Sequence, residues 1–597
     1  MKKIILLSLL AFLPLLAGAY DVEIDGIYYN LSSKTKEAKV TYKTTSYNSY
    51  SGSINIPSSI THEEDDYTVT SIGSRAFAGC NTLTSITISN NITSIDDYAF
   101  KGCSSLNAVH IFDLAVWCKI SFNSYDSNPL YYAHHLFLNG KEVKDLVIPN
   151  SVTSIGSYTF SGCSCMISVT IPSSVISIGT QAFMGCSGLT SVHIFDLADW
   201  CKISFDSFSN PLRYAHHLYL NSEEVKDLFI PNSVTSIANA FSGCTGLTTV
   251  TIPNSVANIG ENSFEGCSGI TSVIIPNGVA SIGANSFNGC SGLTSLNIPS
   301  SVTNIGGCSF SGCTGLTSVI IPNNVKKIEG GAFYGCTNLA SMTIPNSVTS
   351  IGDRAFEECS GLTSLTISNN VTNIDEYVFQ GCTGLTSVTI PNSVTCIRTG
   401  AFENCNSLIS ITIGSRVEFI GENAFARCRN LIDVYCLAEN VPATESNSIF
   451  EPTNAFYNSP IETLYVPESS IGFYKTTSPW NEFGVIKSLY SETPETKQCA
   501  KPTINYENGK IKCTCETEDV TYGYTITPNS SSGTSNNGEI SLGMMFNVSV
   551  YAQREGYLDS EVATTTISLA DVGDMNGDGR LSVEDVAKLV DVIMKKE

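Results

Sequence analysis

Near the C-terminal end the stretch DMNGDGRLSVED, Asp574 to Asp585, sets oxygen-bearing residues at a spacing that suits a hard cation. Asp574, Asn576, Asp578 and Ser582 stand at positions 1, 3, 5 and 9 of a twelve-residue loop, with Asp585 at position 12. Arg580 offers its backbone carbonyl at position 7, and Gly579 supplies the turn at position 6. Carboxylate, amide and carbonyl oxygens in that order are what Ca2+ takes. The bland alternative is an acidic, Gly-rich tail that holds no ion. Val583, Val586, Val590 and Ile593 then mark one face of a helix.

Other chemistry is harder to find. The doublets His134-His135 and His216-His217 invite a metal reading. Neighbours on a strand point to opposite faces, so one doublet does not chelate a single ion, and a structural or solvent-facing role is expected. Hydroxyls are abundant, but a Ser or Thr nucleophile needs an adjacent base. The seven histidines, four of them in the doublets, leave little material for that role. No stretch reads as a catalytic domain, and the chain is expected not to be an enzyme. A hydrolase reading would require a convergent carboxylate pair.

The elements that must position these residues follow a period. Cys244, Cys267, Cys290, Cys313, Cys336, Cys359, Cys382, Cys405 and Cys428 are each 23 residues apart, and Cys80–Cys103 and Cys163–Cys186 keep the step. A Phe stands three residues before each, and apolar residues follow at +3, +6, +8, +12, +15 and +20. In one unit these are Leu385, Val388, Ile390, Val394, Ile397 and Phe402. The +6/+8 pair alternates like a strand, and Pro391 at +9 ends it because proline has no N–H to donate. One unit cannot bury six apolar side chains, but stacked units share a continuous core. The expected fold is mainly β: a solenoid of 23-residue repeats whose strands form a parallel sheet. Phe and Cys become internal ladders, so the cysteines read as small buried apolar residues rather than disulfide halves. Ser387 and Thr389, at +5 and +7, represent rows left on the exposed face.

The unit L-x-x-[VL]-x-I-P-x-x-V-x-x-I-G-x-x-A-F-x-x-C resembles the BspA-like class of leucine-rich repeats, found in surface and secreted proteins of host-associated bacteria. The resemblance covers residues 58–436. It implies a leucine-rich-repeat solenoid and adhesion to host proteins or other cells. The loop and helix of 571–597 are similar to one half of a type I dockerin, the calcium-dependent module that docks into cohesins. One half is present in this sequence, where dockerins carry two.

Two steps break the period, 60 residues from Cys103 to Cys163 and 58 from Cys186 to Cys244. Both carry one module, at about 110–149 and 193–231, which opens HIFDLA and reaches HHLFLNGKEV or HHLYLNSEEV. Asn139-Gly140 signals a type I′ hairpin, held more weakly by Asn221-Ser222 in the second copy. The expectation is an enlarged turn that projects from the solenoid. Trp117, Tyr131 and Tyr132, with Trp200 and Tyr214, offer an aromatic platform for a ligand; the preferred reading packs Trp117 and Trp200 into the module's own core.

At the N-terminus Lys2 and Lys3 precede the apolar run Ile4–Leu16, and Ala17-Gly18-Ala19 forms a cleavage site, the layout of a signal peptide over 1–19. The run is too short for a bilayer span, so a membrane anchor is the lesser alternative. Residues 20–57 and 437–490 read as caps over the open ends of the core. Residues 499–570 alternate like a small β-sandwich, in which Cys499 could join Cys513 or Cys515. Net charge is −23, which repels the phosphate backbone and argues against nucleic acid. The expected protein is secreted or held at the cell surface. It binds a host extracellular-matrix or cell-surface protein or a glycan; the alternative is a non-catalytic, cohesin-docked subunit of a polysaccharide-degrading complex.

Overall fold

The structure is a computed structural model that describes residues 20–44, 48–444, 455–489, 499–507, 510–517, 521–529, 545–553, 560 and 563–568. The signal segment 1–19 and the calcium loop 574–585 lie outside these residues. The chain divides into two units, Met1–Val434 with Pro442–Glu462, and Tyr435–Val441 with Thr463–Glu597.

In the first unit each plain repeat contributes one strand of three to five residues and one two-residue strand. Ser387–Thr389 is of the first kind, with Val388 buried and Ser387 and Thr389 exposed. It pairs in parallel with Ser410–Ile413 one repeat on, Val388 opposite Ile411. Cys396–Ile397 is of the second kind and pairs in parallel with Asn373–Ile374 and Phe419–Ile420. Every +6 residue therefore falls on the same side of one sheet, which is why the period of 23 specifies the register.

The ladders fill the space between the two sheets. Phe241, Phe264, Phe287, Phe310 and Phe333 stack at 5.3–5.5 Å with rings within 14° of parallel. Their backbone groups are satisfied from repeat to repeat. Phe264 N–H donates to the Ser286 carbonyl at 2.8 Å, and the Cys313 thiol donates to the Phe287 carbonyl at 3.3 Å. Burial pushes the Cys313 and Cys359 thiols up to about 12, so these ladder thiols stay protonated at neutral pH. A left-handed residue stands five before each Cys, Asn262 and Asn285 for example, and the turn there needs it.

At its start the Phe stack meets tyrosines. Tyr50 lies 4.5 Å from Phe77 and 5.7 Å from Tyr28, which stands on the middle of three antiparallel strands, Val22–Ile24, Ile27–Ser32 and Glu37–Thr41. At the far end Phe456 stacks on Phe425 at 5.3 Å.

The modules do not project. Ser121–Phe122 pairs in parallel with Ser94–Ile95, and Leu136–Leu138 with Ala108–Ile111. The second copy does the same through Ser204–Phe205 and Leu218–Leu220. Each module is thus an irregular rung of both sheets, and only Lys141–Glu142 and Glu223–Glu224 fold back as hairpin strands. The added length is taken up in helical turns, Leu114–Trp117 capped by Asp113 and Leu197–Lys202 capped by Asp196. Burying the module's own apolar side chains requires the stack, so a free-standing hairpin loses.

In the second unit Thr463–Val466 pairs in parallel with Val485–Ser488. Tyr474 is buried there; its hydroxyl donates to the Ala438 carbonyl at 2.9 Å and its ring meets Trp480 edge-on at 5.3 Å. Beyond, Thr503–Glu507 and Lys510–Thr514 form an antiparallel pair, and Thr521–Asn529, Met545–Gln553 and Ala563–Ser568 an antiparallel sheet of three. The Cys515 thiol donates to the Ala500 carbonyl at 3.0 Å. No helix among the described residues is long and apolar enough to cross a membrane.

Candidate functional site

Parallel pairing turns the +7 position into a row on the exposed sheet face, one residue about every 4.8 Å. Through most plain repeats the row is polar, Thr343 beside Thr366 and Thr389 beside Thr412, with Ile274 and Ile320 as the apolar exceptions. At the modules it becomes aromatic. Thr87, His110 and Phe137 stand in register, and the His110 and Phe137 rings stack at 4.8 Å. Val147, Thr170, His193 and Tyr219 follow the same rule, with His193 on Tyr219 at 4.8 Å. Val147, Phe229 and Ile274 on these rows are 62%, 66% and 60% exposed. The +5 row beside them is hydroxyl and carboxylate: Ser168 donates to Asp145 and Thr249 to Asp227, each at 2.6 Å.

At the opposite end of each module the histidine doublet splits. His134 closes a helical turn in the left-handed region, with Nδ1 2.8 Å from the Gly162 carbonyl. His135 Nδ1 lies 2.6 Å from Glu142 Oε1, and the pair holds the Glu142 carboxyl below its usual range. His216 and His217 repeat this against Gly243 and Glu224, at 3.0 and 2.6 Å. The doublet diverges because its first member sits in a left-handed cap, not because both lie on one strand. Beside His135 stands Cys165, whose thiol is held low by the hydrogen bond from Cys163.

Comparison with known proteins identifies the repeat. A model described as "BspA type Leucine rich repeat region (6 copies)" matches residues 25–127, 132–212, 214–325 and 308–432. The chain belongs to the BspA type leucine rich repeat family. A leucine-rich repeat protein of Bacteroides ovatus is similar at 27% identity, over 71% of this chain and 99% of that one, with a TM-score of 0.39. A leucine rich cell surface protein of Faecalibacterium prausnitzii is similar at 26% identity, over 70% and 94%, with a TM-score of 0.34. No curated protein matches the chain.

Within this BspA type array the residues expected at the site are placed unequally. Trp117 and Trp200 are 1% and 2% exposed and offer no stacking face. Each spends its indole N–H on the next repeat's backbone, Trp117 on the Thr159 carbonyl at 3.1 Å and Trp200 on the Ala240 carbonyl at 2.8 Å. They also meet Phe122 and Phe205 edge-on, which places them in the module core. Tyr131 and Tyr132 are half-buried; Tyr131 lies 5.0 Å from exposed Tyr125, and the Tyr132 hydroxyl donates to Asp126 at 2.7 Å. Tyr214 is half-buried, and nearby Arg213 lies over exposed Phe208 at 5.0 Å. Ser387 and Thr389 are exposed, as the repeat pattern requires.

Sequence reasoning missed the aromatic part of the row. Counting +7 from Cys103 and Cys186 lands on His110 and His193, so the rule that found Thr389 reaches them too. Phe137 and Tyr219 lie where the period is broken, and only the pairing of Leu136–Leu138 and Leu218–Leu220 brings them into line. Exposed Phe112 and Phe195 stand at +9 from Cys103 and Cys186, within reach of the same count, and were missed as well.

Proposed function

We propose that this chain is an exported, non-enzymatic binding protein. It presents the exposed sheet face of its repeat array to an extended extracellular ligand: a host extracellular-matrix protein, a cell-surface protein or a glycan. The observation that carries the reading is the row in which stacked His–aromatic pairs and exposed Val147, Phe229 and Ile274 interrupt hydroxyl-bearing positions. Rings supply contact area at low entropic cost, and hydroxyls supply adaptable hydrogen bonds. With few charges on the row, binding depends only mildly on salt. Many copies at one surface raise avidity when each contact is modest. The test is capture on an array of matrix proteins and glycans by the mature chain and by its His193→Ser, Tyr219→Ser, Phe229→Ser variant. The triple variant should lose most capture while keeping its melting profile. Full capture by the variant, with loss on deleting residues 499–597, would make the array a spacer.

A second reading rests on the spacing of Asp574, Asn576, Asp578, Arg580, Ser582 and Asp585. In it these residues hold one Ca2+, and the tail behind a 499–570 β-sandwich tethers the chain to a cohesin-like partner. Calorimetry with Asp574→Ala, Asp578→Ala should show Ca2+ binding abolished; equal binding in the double variant removes the reading.

A further inference from the structure

We propose that His135, Glu142 and Cys165 bind a borderline-soft divalent cation, Zn2+ being the best fit. One imidazole nitrogen, one carboxylate oxygen and the Cys165 Sγ all lie within 4.8 Å of one another, and all three residues are half-buried. Three separate segments bring them there. His135 leads into Leu136–Leu138, Glu142 lies on the hairpin strand opposite Phe137, and Cys165 follows the ladder residue Cys163 in the next repeat. Cys165 is fastened by its own N–H to the His134 carbonyl at 3.4 Å.

The second module supplies an internal control. Its His217–Glu224 pair has the same 2.6 Å contact, but Gly246 stands where the first has Cys165, with its N–H on the His216 carbonyl at 3.1 Å. A Cβ built on Gly246 would lie 2.8 Å from His217 Nδ1 and 3.1 Å from Glu224 Oε1. A side chain at this place is therefore aimed at the His–Glu pair. At the same place, two after each ladder Cys, the other repeats carry Gly, Ser, Thr or Asn. Only in the first module does a residue that ligates soft cations stand there.

The geometry fits an ion better than a proton relay. In a Cys–His–Glu relay the thiol and the carboxylate use opposite ring nitrogens. Here Glu142 takes Nδ1 of His135, and the second module shows that the side chain from the next repeat approaches that same nitrogen. Thiolate, imidazole and carboxylate are a recognised zinc donor set, and three protein ligands leave a fourth position for water. With Zn–N and Zn–O near 2.0–2.1 Å, tetrahedral ligands stand roughly 3.3 Å apart, so the His135–Glu142 contact opens by under about 1 Å on binding. The thiol proton leaves to solvent as the Zn–S bond forms. Lys144 Nζ lies 3.8 Å from Glu142 Oε2, the oxygen turned away from His135; its charge holds the affinity below that of a closed structural site.

The experiment titrates Co2+ into the reduced, metal-stripped full chain, with Ca2+ in excess to occupy oxygen-only sites, and then adds Zn2+. A thiolate-to-cobalt absorption band that Zn2+ displaces, at one ion per chain, is the expected result. Cys165→Gly should abolish the band without lowering the melting temperature, because the second module folds with Gly at that place. Glu142→Gln should weaken Co2+ binding at least tenfold. Gly246→Cys should raise the count to two ions. No band in the parent chain overturns the proposal, as does a band that survives Cys165→Gly, which would place the ion on another thiol.

Discussion

The two modules are fastened alike and finished differently. In the first, Asn128 Nδ2 donates to the Tyr158 and Thr159 carbonyls, and in the second Asn210 Nδ2 donates to those of Asn239 and Ala240. Trp117 and Trp200 also donate to the Thr159 and Ala240 carbonyls. Around this common frame the surface diverges: Tyr125 and Tyr131 in one against Phe208 and an Arg213–Glu265 ion pair of 2.6 Å in the other, Val116 against Asp199, and Cys165 against Gly246. The plain repeats use neither device and are held by ring stacking and a thiol ladder. Where the period of 23 fails, side chains that hydrogen-bond to the neighbouring backbone replace rings that stack on their own kind. Such contacts leave the outer residues free to carry different chemistry.

The largest effect should come from the plain run. Phe310→Ala removes a ring stacked on Phe287 and Phe333 and should cost about 3–5 kcal/mol. Hydrogen exchange should show the loss concentrated in adjacent repeats, because each contacts only its neighbours. Unchanged protection would mean the stack does not hold the array.

Next comes the seam between a module and the repeat that follows it. Gly243 has φ +83°, and a Cβ there would lie 2.5 Å from Arg213 Cα; Gly289 has φ +75°, with its nearest neighbour, Gly266 Cα, 3.5 Å away. Both alanine variants incur the left-handed cost of about 1–2 kcal/mol. Gly243→Ala adds an overpacking cost of about 1–3 kcal/mol that Gly289→Ala avoids. Equal losses in denaturant melts would show that the modules sit no closer than plain repeats.

Trp117→Phe and Trp200→Phe should each cost about 1–3 kcal/mol, and by similar amounts, since both lose one N–H to a buried carbonyl. A difference of more than about 1 kcal/mol in the losses read from urea melts would end the claim of a common frame.

The smallest effect depends on pH. The Lys202 ammonium, then the Ser173 hydroxyl, hold the Asp199 carboxyl below its usual range. A lowered folded value stabilises the protein above the ordinary carboxylate pKa, and that contribution is lost as pH falls through the depressed value. The pair is solvent-exposed, so Asp199→Val should cost no more than a few tenths of a kcal/mol at neutral pH. The gap from the parent melting curve should close in acid. A gap that persists there would assign it to packing, as at Val116.

The plain repeats were legible because a residue's tertiary partner is the same position one period away. Phe310, Cys313 and Val388 could be assigned to the core from counting, and Thr389 to the face. The modules were legible only as sequence. Their Trp residues were read as core in preference to a platform, and what bears this out is a carbonyl on the next repeat, Thr159 or Ala240, some forty residues away. The hairpin was read correctly at Asn139-Gly140, but its placement was not, because nothing local says that Leu136–Leu138 joins the solenoid sheet.

What the chain by itself determined is therefore the period, the buried positions within it and the proline that ends most of the exposed-face strands. These follow from local spacing, because stacking identical units makes short-range pattern and long-range contact the same thing. Only the tertiary structure decided which residues meet where the pattern lapses: Phe137 beside His110, Tyr219 beside His193, and Cys165 against His135 and Glu142. In an irregular segment such meetings depend on how helical turns and a hairpin absorb the added length. The packing of the whole module sets that; no spacing along the chain encodes it.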